Sequence, residues 1–274
     1  MRPNVPITRE VVLIGGGHTH TLFLRKWGMK PIPGVQISLI SPTAETAYTG
    51  MLPGFLAGHY KREEINIDLV KLCRFSGVRF IIGTVENILT DNNLIIISGR
   101  NPISYDLASI DIGVTSQLLS PTLSSAYLNS IKPLADFADN WELFKARIFK
   151  KTVSPNVVII GGGIGAVEIA MAIAYSFKKI GVIHYNISIL GRSKALKEVR
   201  SRTRKKIMAT LTSLSIKVLE NVKASHATAT QVLLHDNTEI ASDFTIIAAG
   251  ATPYDWLKKT NLRLNNGFIE IDRE

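Results

Sequence analysis

Two stretches of the sequence, "VVLIGGGHTH" at residues 11–20 and "VVIIGGGIGA" at residues 157–166, follow one pattern that decides the fold. In each, a short apolar run precedes three glycines. The apolar run predicts a buried parallel strand, and the glycines predict a tight turn that opens a helix. Such a turn presents unpaired backbone N–H groups and the positive end of the helix dipole, which suit a pyrophosphate. We therefore expect the two stretches to hold the pyrophosphates of two different dinucleotides.

The order of elements around the two turns also repeats. Each turn leads into a helix and a second apolar strand, and then into a hairpin and a strand that ends in glycine, "YDLASIDIG" at 105–113 and "FTIIAAG" at 244–250. A strand, helix and strand in this order form a βαβ unit. The repeat predicts an α/β protein of two Rossmann-like domains with three-layer parallel-sheet cores, the second nested in the first.

The domain limits follow from the same pattern. We place the first domain at residues 1–118, the second at 119–252 and a return into the first at 253–274. A polar helix and a Ser-Pro turn within residues 132–156 are expected to mark the boundary. A basic helix is expected over residues 193–214.

Three further segments also carry a structural pattern. "VRFIIGTVENI" and "NLIIIS" flank the turn residues Asp91, Asn92 and Asn93, which predicts an antiparallel pair. "TGMLPGF" at 49–55 is apolar and rich in glycine and proline. We expect it to form a loop against a bound cofactor rather than an ordinary surface loop.

The two turns meet the dinucleotide pattern G-x-G-x-x-G/A to different degrees. Its first glycine permits the tight turn, its second lets phosphate oxygens reach the backbone, and its third position lets the helix pack on the strand. The second turn meets the pattern, with Gly161, Gly163 and an alanine in third place. The first turn has Gly15 and Gly17 but His20 in third place. We expect the bulk of His20 either to displace the helix or to turn toward the ligand.

A carboxylate for a ribose hydroxyl is expected about 20 residues beyond each motif. Both halves lack it: Ser41 stands there in the first half, and Gly191 followed by Arg192 in the second. Ser41 can still make one hydrogen bond. A small residue followed by arginine suits a 2′-phosphate, so NADPH is at least as well supported as NADH; a solvated surface arginine is the alternative.

Two other polar residues have two open interpretations each. His18 and His20 lie two apart on a helix and do not face one side, so we expect no metal site. Either they hydrogen-bond or pack under the turn, or they contact the bound dinucleotide. Glu168 either binds the nicotinamide end or relays a proton, which makes it the one candidate catalytic residue, or it only complements the helix dipole.

These motifs resemble the two-dinucleotide flavoproteins, which include pyridine nucleotide-disulfide oxidoreductases and type II NADH dehydrogenases. "GGGIGAVEIA" is similar to the second nucleotide motif of that family, and "YDLASIDIG" and "SDFTIIAAGATP" to its two crossover strands. The resemblance covers nearly the whole chain and implies FAD at the first turn and NAD(P)H at the second. The "TGMLPGF" loop is then expected to lie against the flavin ring, and the ligand contact open to His18 and His20 is with flavin or phosphate. More narrowly, "GGGHTH", "RKWGMKPIPGV" and "YTGMLPGFLAGHY" resemble the flavoprotein module found fused to selenide, water dikinase.

The resemblance and the turns together predict a set of cofactor-binding residues. They are Gly15, Gly17, His18, Thr19, Ser41, Pro42, Met51, Gly113, Gly161, Gly163, Ile164, Gly165, Glu168, Arg192 and Gly250. The implied activity is hydride transfer from NAD(P)H to flavin and reduction of an acceptor. The alternative is a regulatory module that binds a nucleotide without turnover and serves a selenophosphate-forming enzyme.

The chain departs from this family in two places. Disulfide reductases carry a cysteine pair beside the flavin, whereas Cys73 is the single cysteine here, so we expect a non-disulfide acceptor such as a quinone. Members of the family also continue past "NNGFIEID" to a further Gly-Asp motif and a C-terminal domain. Because the sequence stops at Glu274, we expect it to be a fragment.

Composition narrows the class of protein. A hydrophobic share of 46% and a charged share of 20% are typical of a globular chain. The net charge of +10 fits acidic ligands or solubility, and no motif supports nucleic-acid binding. With one cysteine and no signal-like N-terminus, we expect a cytoplasmic protein with no transmembrane span. A peripheral membrane contact and a homodimer stay open.

Overall fold

The computed structural model describes residues 6–116, 127–132, 134–248 and 250–272. The expected domain boundary after residue 118 lies outside them. The helices, in chain order, are α1 (His18–Met29), α2 (Leu52–Leu56), α3 (Leu69–Ser76), α4 (Leu134–Phe149), α5 (Ile164–Lys179) and α6 (Ser201–Ser213).

The strands are numbered along the chain in the same way. They are β1 (Arg9–Ile14), β2 (Val35–Ser41), β3 (Glu45–Ala47), β4 (Asn66–Asp68), β5 (Arg79–Ile82), β6 (Val85–Leu89), β7 (Leu94–Ile97), β8 (Ile103–Ser104), β9 (Leu107–Ile110), β10 (Thr115–Ser116), β11 (Leu128–Ser130), β12 (Asn156–Ile160), β13 (Asn186–Leu190), β14 (Ile216–Leu219), β15 (Ala224–Ala227), β16 (Gln231–Leu234), β17 (Glu239–Ala241), β18 (Phe244–Ile247), β19 (Ala251–Thr252), β20 (Leu264–Asn265) and β21 (Phe268–Ile269).

The chain divides into two units. Unit 1 takes its residues from Met1–Tyr48, Asn66–Thr115 and Thr252–Glu274, and unit 2 from Thr49–Ile65 and Ser116–Ala251. Each unit has one parallel sheet and one antiparallel three-stranded meander.

Unit 1 is built on the parallel sheet β5-β2-β1-β9. Successive side chains of a strand point to opposite faces of the sheet. On β1, Leu13 accordingly packs with Leu24 of α1 and Leu69 of α3, whereas Val12 and Ile14 pack with the meander β6-β7-β8. Helices, parallel sheet and meander thus form three layers.

Unit 2 repeats this plan on the parallel sheet β11-β18-β12-β13-β14. Val158 and Ile160 of β12 pack against the meander β15-β16-β17. α5 contributes a largely buried helix to the unit. The predicted fold class, two Rossmann-like cores with parallel sheets, is therefore confirmed.

The helix at residues 132–156 differs from its prediction. α4 is not a polar boundary helix, because Phe137, Trp141 and Phe144 on one of its faces are almost fully buried. Their rings lie near Phe177 of α5 and Phe244 of β18, all within unit 2. Burying one large apolar side chain contributes about 1.5–3 kcal/mol, so this face makes α4 part of the core of unit 2.

Two other predicted elements change their limits. The segment expected as one arm of a hairpin is split near Gly83, whose N–H donates to the Ser41 carbonyl at 3.0 Å. Its first part, β5, joins the parallel sheet, and only β6 pairs antiparallel with β7. The expected basic helix begins at Ser201, because the residues before it form a turn instead.

Residues 49–65 group with unit 2. Phe55 and Leu56 of α2 are buried, and Lys179 at the end of α5 donates to the Gly58 carbonyl at 2.9 Å. Arg62 forms an ion pair with Asp139 of α4. Among the described residues, no helix is long and apolar enough to cross a membrane.

Candidate functional site

The first glycine turn lies between β1 and α1 of unit 1. Gly15 has a φ of +93°, a region that side chains other than glycine rarely adopt, and its N–H donates to the Ile40 carbonyl at 2.8 Å. A Cβ added to Gly15 would also overlap the carbonyl oxygen of Asp111. Glycine is therefore required at this position by the backbone itself.

The N-terminus of α1 leaves donors available. Gly17 is the N-cap of α1 and offers no side-chain cap. Within the described residues, the backbone N–H groups of His18 and Thr19 have no hydrogen-bond partner. The first N–H groups of a helix have no partner inside it, so they are free for an anion.

His20 occupies the third position of the motif without disturbing the turn. It is 2% exposed, and its ring turns inward rather than toward a ligand. Its Nδ1 lies 2.7 Å from the Gly15 carbonyl and its Nε2 lies 2.9 Å from the Ser109 hydroxyl. Because a carbonyl only accepts, Nδ1 carries a proton and donates. His20 thus links the turn to β9. In the usual motif the third glycine lets the helix pack on the strand; here the buried His20 side chain packs at that position.

His18 stands at the exposed side of the same turn. Its ring stacks on that of Tyr48, with centroids 4.4 Å apart and planes 7° from parallel. The structure therefore separates the two histidines: His20 packs under the turn, and His18 lies on the surface beside the free N–H groups of α1.

Asp111 adds a carboxylate to the first turn. Its backbone oxygen accepts from Gly17 N–H at 3.1 Å, and its Oδ2 accepts from His20 N–H at 3.1 Å. A Cβ added to Gly17 would overlap this carboxylate. The side chain of Asp111 therefore lies over Gly17, at the N-terminus of α1.

The second glycine turn lies between β12 and α5 of unit 2. Gly161 N–H donates to the Leu190 carbonyl at 2.8 Å, as Gly15 does to Ile40 in unit 1. Gly163 is the N-cap of α5, and no neighbouring heavy atom lies within 4 Å of a Cβ added there. The N–H groups of Ile164 and Gly165 have no partner among the described residues. This turn is an open cradle that fits a pyrophosphate.

A loop after β13 closes one side of the second turn. Leu196 N–H donates to the Gly162 carbonyl at 2.8 Å, and Glu220 accepts from Ala195 N–H at 2.8 Å and from Arg204. The Ala195 N–H first, and then the Arg204 guanidinium, lower the pKa of Glu220. These contacts hold the loop that begins with Arg192, whose side chain is exposed.

The family model of the pyridine nucleotide-disulphide oxidoreductases matches residues 9–274. This chain belongs to that family. No sequence match to a curated protein is found.

Several solved structures share the fold of this chain. The sulfide:quinone oxidoreductase of Aquifex aeolicus superposes with a TM-score of 0.75 at 20% identity, covering 92% of this chain and 61% of that one. NDH2 of Plasmodium falciparum in complex with NADH gives 0.76 at 16%, with 92% and 57% covered. The ferredoxin reductase for the CYP199A2 system of Rhodopseudomonas palustris gives 0.76 at 17%, with 95% and 64% covered. The chain thus spans less than two thirds of each.

Membership of the pyridine nucleotide-disulphide oxidoreductase family implies FAD and NAD(P)H as cofactors of this chain. The second turn fits a dinucleotide without obstruction. The first turn has the required backbone and free N–H groups, but the carboxylate of Asp111 lies where the second glycine of the motif lets phosphate oxygens approach.

The remaining predicted site residues are placed as follows. Ser41 ends β2 and is 3% exposed, and its hydroxyl accepts from Thr43 N–H at 3.4 Å, so it is engaged locally. Pro42 is exposed beside it. Glu168 lies on the exposed side of α5, and Met51 precedes α2 in unit 2.

The two glycines at the strand ends correspond to each other. Gly113 follows β9 with a φ of +66°, and Gly250 follows β18 with a φ of +81°. Both are exposed, and both have the left-handed backbone that favours glycine. The same kind of turn therefore follows β9 in unit 1 and β18 in unit 2.

Sequence reasoning missed Asp111 and Glu220. For Asp111 a signal was present, since a charged residue directly after a buried strand, at the edge where ligands of α/β proteins bind, points to a role there. For Glu220 the same signal is weaker, because the carboxylate follows β14 and its partners come from a turn that was predicted as helix.

Proposed function

We propose that this chain is the dinucleotide-binding part of an FAD-dependent NAD(P)H oxidoreductase, with FAD at the first turn and NAD(P)H at the second. The observation that carries the proposal is the duplicated strand–glycine–helix junction with unpaired N–H groups at each helix start. In this proposal residues 1–118 bind FAD, 119–252 bind NAD(P)H, and 253–274 return to the first domain.

The protein groups in this proposal bind and orient. Backbone N–H groups at the two helix starts would hold the pyrophosphates, and Glu168 would face the nicotinamide end. When bound, the flavin supplies hydride chemistry, accepting from NAD(P)H and passing electrons on. The binding residues are Gly15, Gly17, His18, Thr19, Ser41, Pro42, Met51 and Gly113 for FAD, and Gly161, Gly163, Ile164, Gly165, Glu168, Arg192 and Gly250 for NAD(P)H.

The acceptor is proposed to be something other than a disulfide. Cys73 is the single cysteine, it is 1% exposed, and burial raises its pKa to about 11. The thiolate, not the thiol, is the nucleophile in disulfide exchange, so this residue is inert. A quinone or a protein acceptor is supported by similar structures that are, by name, a sulfide:quinone oxidoreductase and a ferredoxin reductase.

Arg192 supports NADPH as a donor. It directly follows Gly191 at the end of β13, and Gly191 takes the position of the carboxylate that would select NADH. Lys194 is also exposed on this loop. An arginine directly after Gly191, with no carboxylate at Gly191 itself, favours a 2′-phosphate over a free 2′-hydroxyl.

One observation favours a second function. The carboxylate of Asp111 lies over Gly17, which disfavours a tightly held dinucleotide at the first turn. A module that binds one nucleotide without turnover, and that serves a selenophosphate-forming enzyme as the narrower resemblance implies, would need only the open second turn. A cytoplasmic location, a homodimer and a peripheral membrane contact are proposed on the sequence alone.

Absorption spectroscopy of the purified 274-residue chain tests the main proposal. FAD is added first, the unbound excess is removed, and NADPH or NADH is added without oxygen. We expect retained flavin bands that one donor bleaches. Flavin that is retained but bleached by neither donor would overturn the assignment of NAD(P)H as its donor. No retained flavin would overturn the FAD assignment for this chain and favour the second function.

A further inference from the structure

The carboxylate of Asp111 fills the space that Gly17 leaves open. Its Oδ2 accepts from His20 N–H at 3.1 Å, and an added Cβ at Gly17 would overlap the same carboxylate. In a dinucleotide motif the second glycine lacks a side chain so that phosphate oxygens can approach the backbone there. In unit 1, the two carboxylate oxygens of Asp111 already occupy that position.

Unit 2 has the same backbone without the acid. Asp111 N–H donates to the Ile14 carbonyl at 2.8 Å, and Ala248 N–H donates to the Ile160 carbonyl at 2.9 Å, so the two residues are equivalent. Ala248 brings only a methyl group, and the space over Gly163 is open. The contrast in the space over the second glycine of each motif therefore comes down to the residue that follows β9 in unit 1 and β18 in unit 2.

The charge of Asp111 is not neutralised by a neighbouring cation. Within the described residues the carboxylate forms no ion pair with lysine or arginine, and it accepts one hydrogen bond, from the backbone N–H of His20; the Gly17 N–H donates to the backbone carbonyl of Asp111 instead. The ring of His20 is held by Gly15 and Ser109 instead. A carboxylate at a helix N-terminus is favourable by itself, but a phosphate brought to the same place meets a like charge.

We propose that Asp111 is an intramolecular competitor for the first turn: its carboxylate caps α1 in place of phosphate and weakens dinucleotide binding there. The proposal rests on the proposed function, because it takes the first turn to be a dinucleotide site. It deepens that function by making occupancy of the two turns unequal. Dinucleotide binding at the first turn requires the carboxylate to leave His20 N–H.

Asp111→Asn tests the charge with little change in shape, because the amide oxygen can still accept from His20 N–H. FAD is titrated into the full chain by calorimetry, in a Gly163→Ala background that obstructs the second turn. We expect Asp111→Asn to bind FAD roughly tenfold more tightly than the Asp111 chain, since a like-charge contact is lost, and to keep its melting temperature. Asp111→Ala should bind FAD more tightly too, but melt at a lower temperature because it loses the cap.

The reverse substitution, Ala248→Asp, is the matched control in unit 2, measured with Gly163 in place. It should weaken NADPH binding by roughly tenfold, since it builds the same contact at the open turn. FAD binding that is equal or weaker in Asp111→Asn would overturn this proposal and leave the proposed function standing. If neither the chain with Asp111 nor its variants bind FAD, both this proposal and the proposed function are overturned. If only the Asp111→Asn chain binds FAD, this proposal is supported.

Discussion

Gly163→Ala is expected to separate nucleotide binding from folding at the second turn. Gly163 has φ −84° and ψ 177°, extended backbone that any residue adopts, and its added Cβ meets no neighbouring heavy atom within 4 Å. The folding cost is then limited to the preference of the N-cap for glycine over alanine, about 0.5–1 kcal/mol. For a chain of this length that lowers the melting temperature by about 1–4 °C.

The effect on binding should be much larger. The new methyl group stands where phosphate oxygens would approach the N-terminus of α5. A pyrophosphate displaced from it loses one hydrogen bond between an N–H and a charged oxygen, worth about 1.5–3 kcal/mol. Because 1.4 kcal/mol corresponds to a factor of ten, NADPH should bind about 10- to 100-fold more weakly.

Calorimetric titration with NADPH and thermal melting of the unaltered and Gly163→Ala chains check the predicted loss of affinity and the predicted fall in melting temperature. Gly17→Ala is the matched variant in unit 1. Its Cβ overlaps the Asp111 carboxylate, so we expect the larger loss of melting temperature there. An unchanged NADPH dissociation constant in a folded Gly163→Ala chain would show that Gly163 does not face the phosphates, and the reasoning on the second turn would be wrong.

Three further outcomes are expected. Arg192→Ser should weaken NADPH binding about tenfold and leave NADH binding unchanged; an equal loss for both would contradict a 2′-phosphate contact. Cys73, whose pKa burial raises to about 11, should not react with a thiol reagent at pH 8 until the chain is denatured, and labelling of the native chain would contradict its burial. Glu220 has a lowered pKa, so its charge stabilises the fold at neutral pH and stops doing so in acid. Glu220→Gln should therefore melt at a lower temperature than the unaltered chain at pH 7, and this difference should shrink as the pH falls below the ordinary pKa of glutamate; a difference that stays constant from pH 7 into acid would contradict this.

The sequence could predict the elements whose signals are local. Apolar runs and glycines next to one another predict a buried strand and a turn whatever lies elsewhere in the chain, and both turns formed as expected. Gly15 and Gly161 both have a positive φ, as a tight turn between strand and helix requires. The parallel order of the sheets followed, because βαβ connections leave few alternatives.

The sequence could not predict features that depend on distant partners. α4 looks polar along the chain, yet Trp141 is fully buried, and the rings that pack against it come from α5 and β18. Residues 49–65 carry no local sign of the unit they join, since that depends on contacts such as Lys179 with Gly58. The start of α6 depends on Glu220, which binds the preceding turn from across the unit.

The duplication makes each turn a reference for the other. Both turns share three features: the first glycine donates its N–H to the neighbouring strand, the N-cap glycine is extended, and the residue after β9 or β18 donates its N–H to the strand before the turn. These features belong to the fold and cannot by themselves distinguish two ligands. What differs is Asp111 against Ala248, and His20 against Ala166. His20 turns inward to Gly15, which leaves Asp111 as the difference that a ligand would meet. A difference in dinucleotide affinity between the two turns should therefore change more when Asp111 and Ala248 are exchanged than when the glycines common to both turns are substituted.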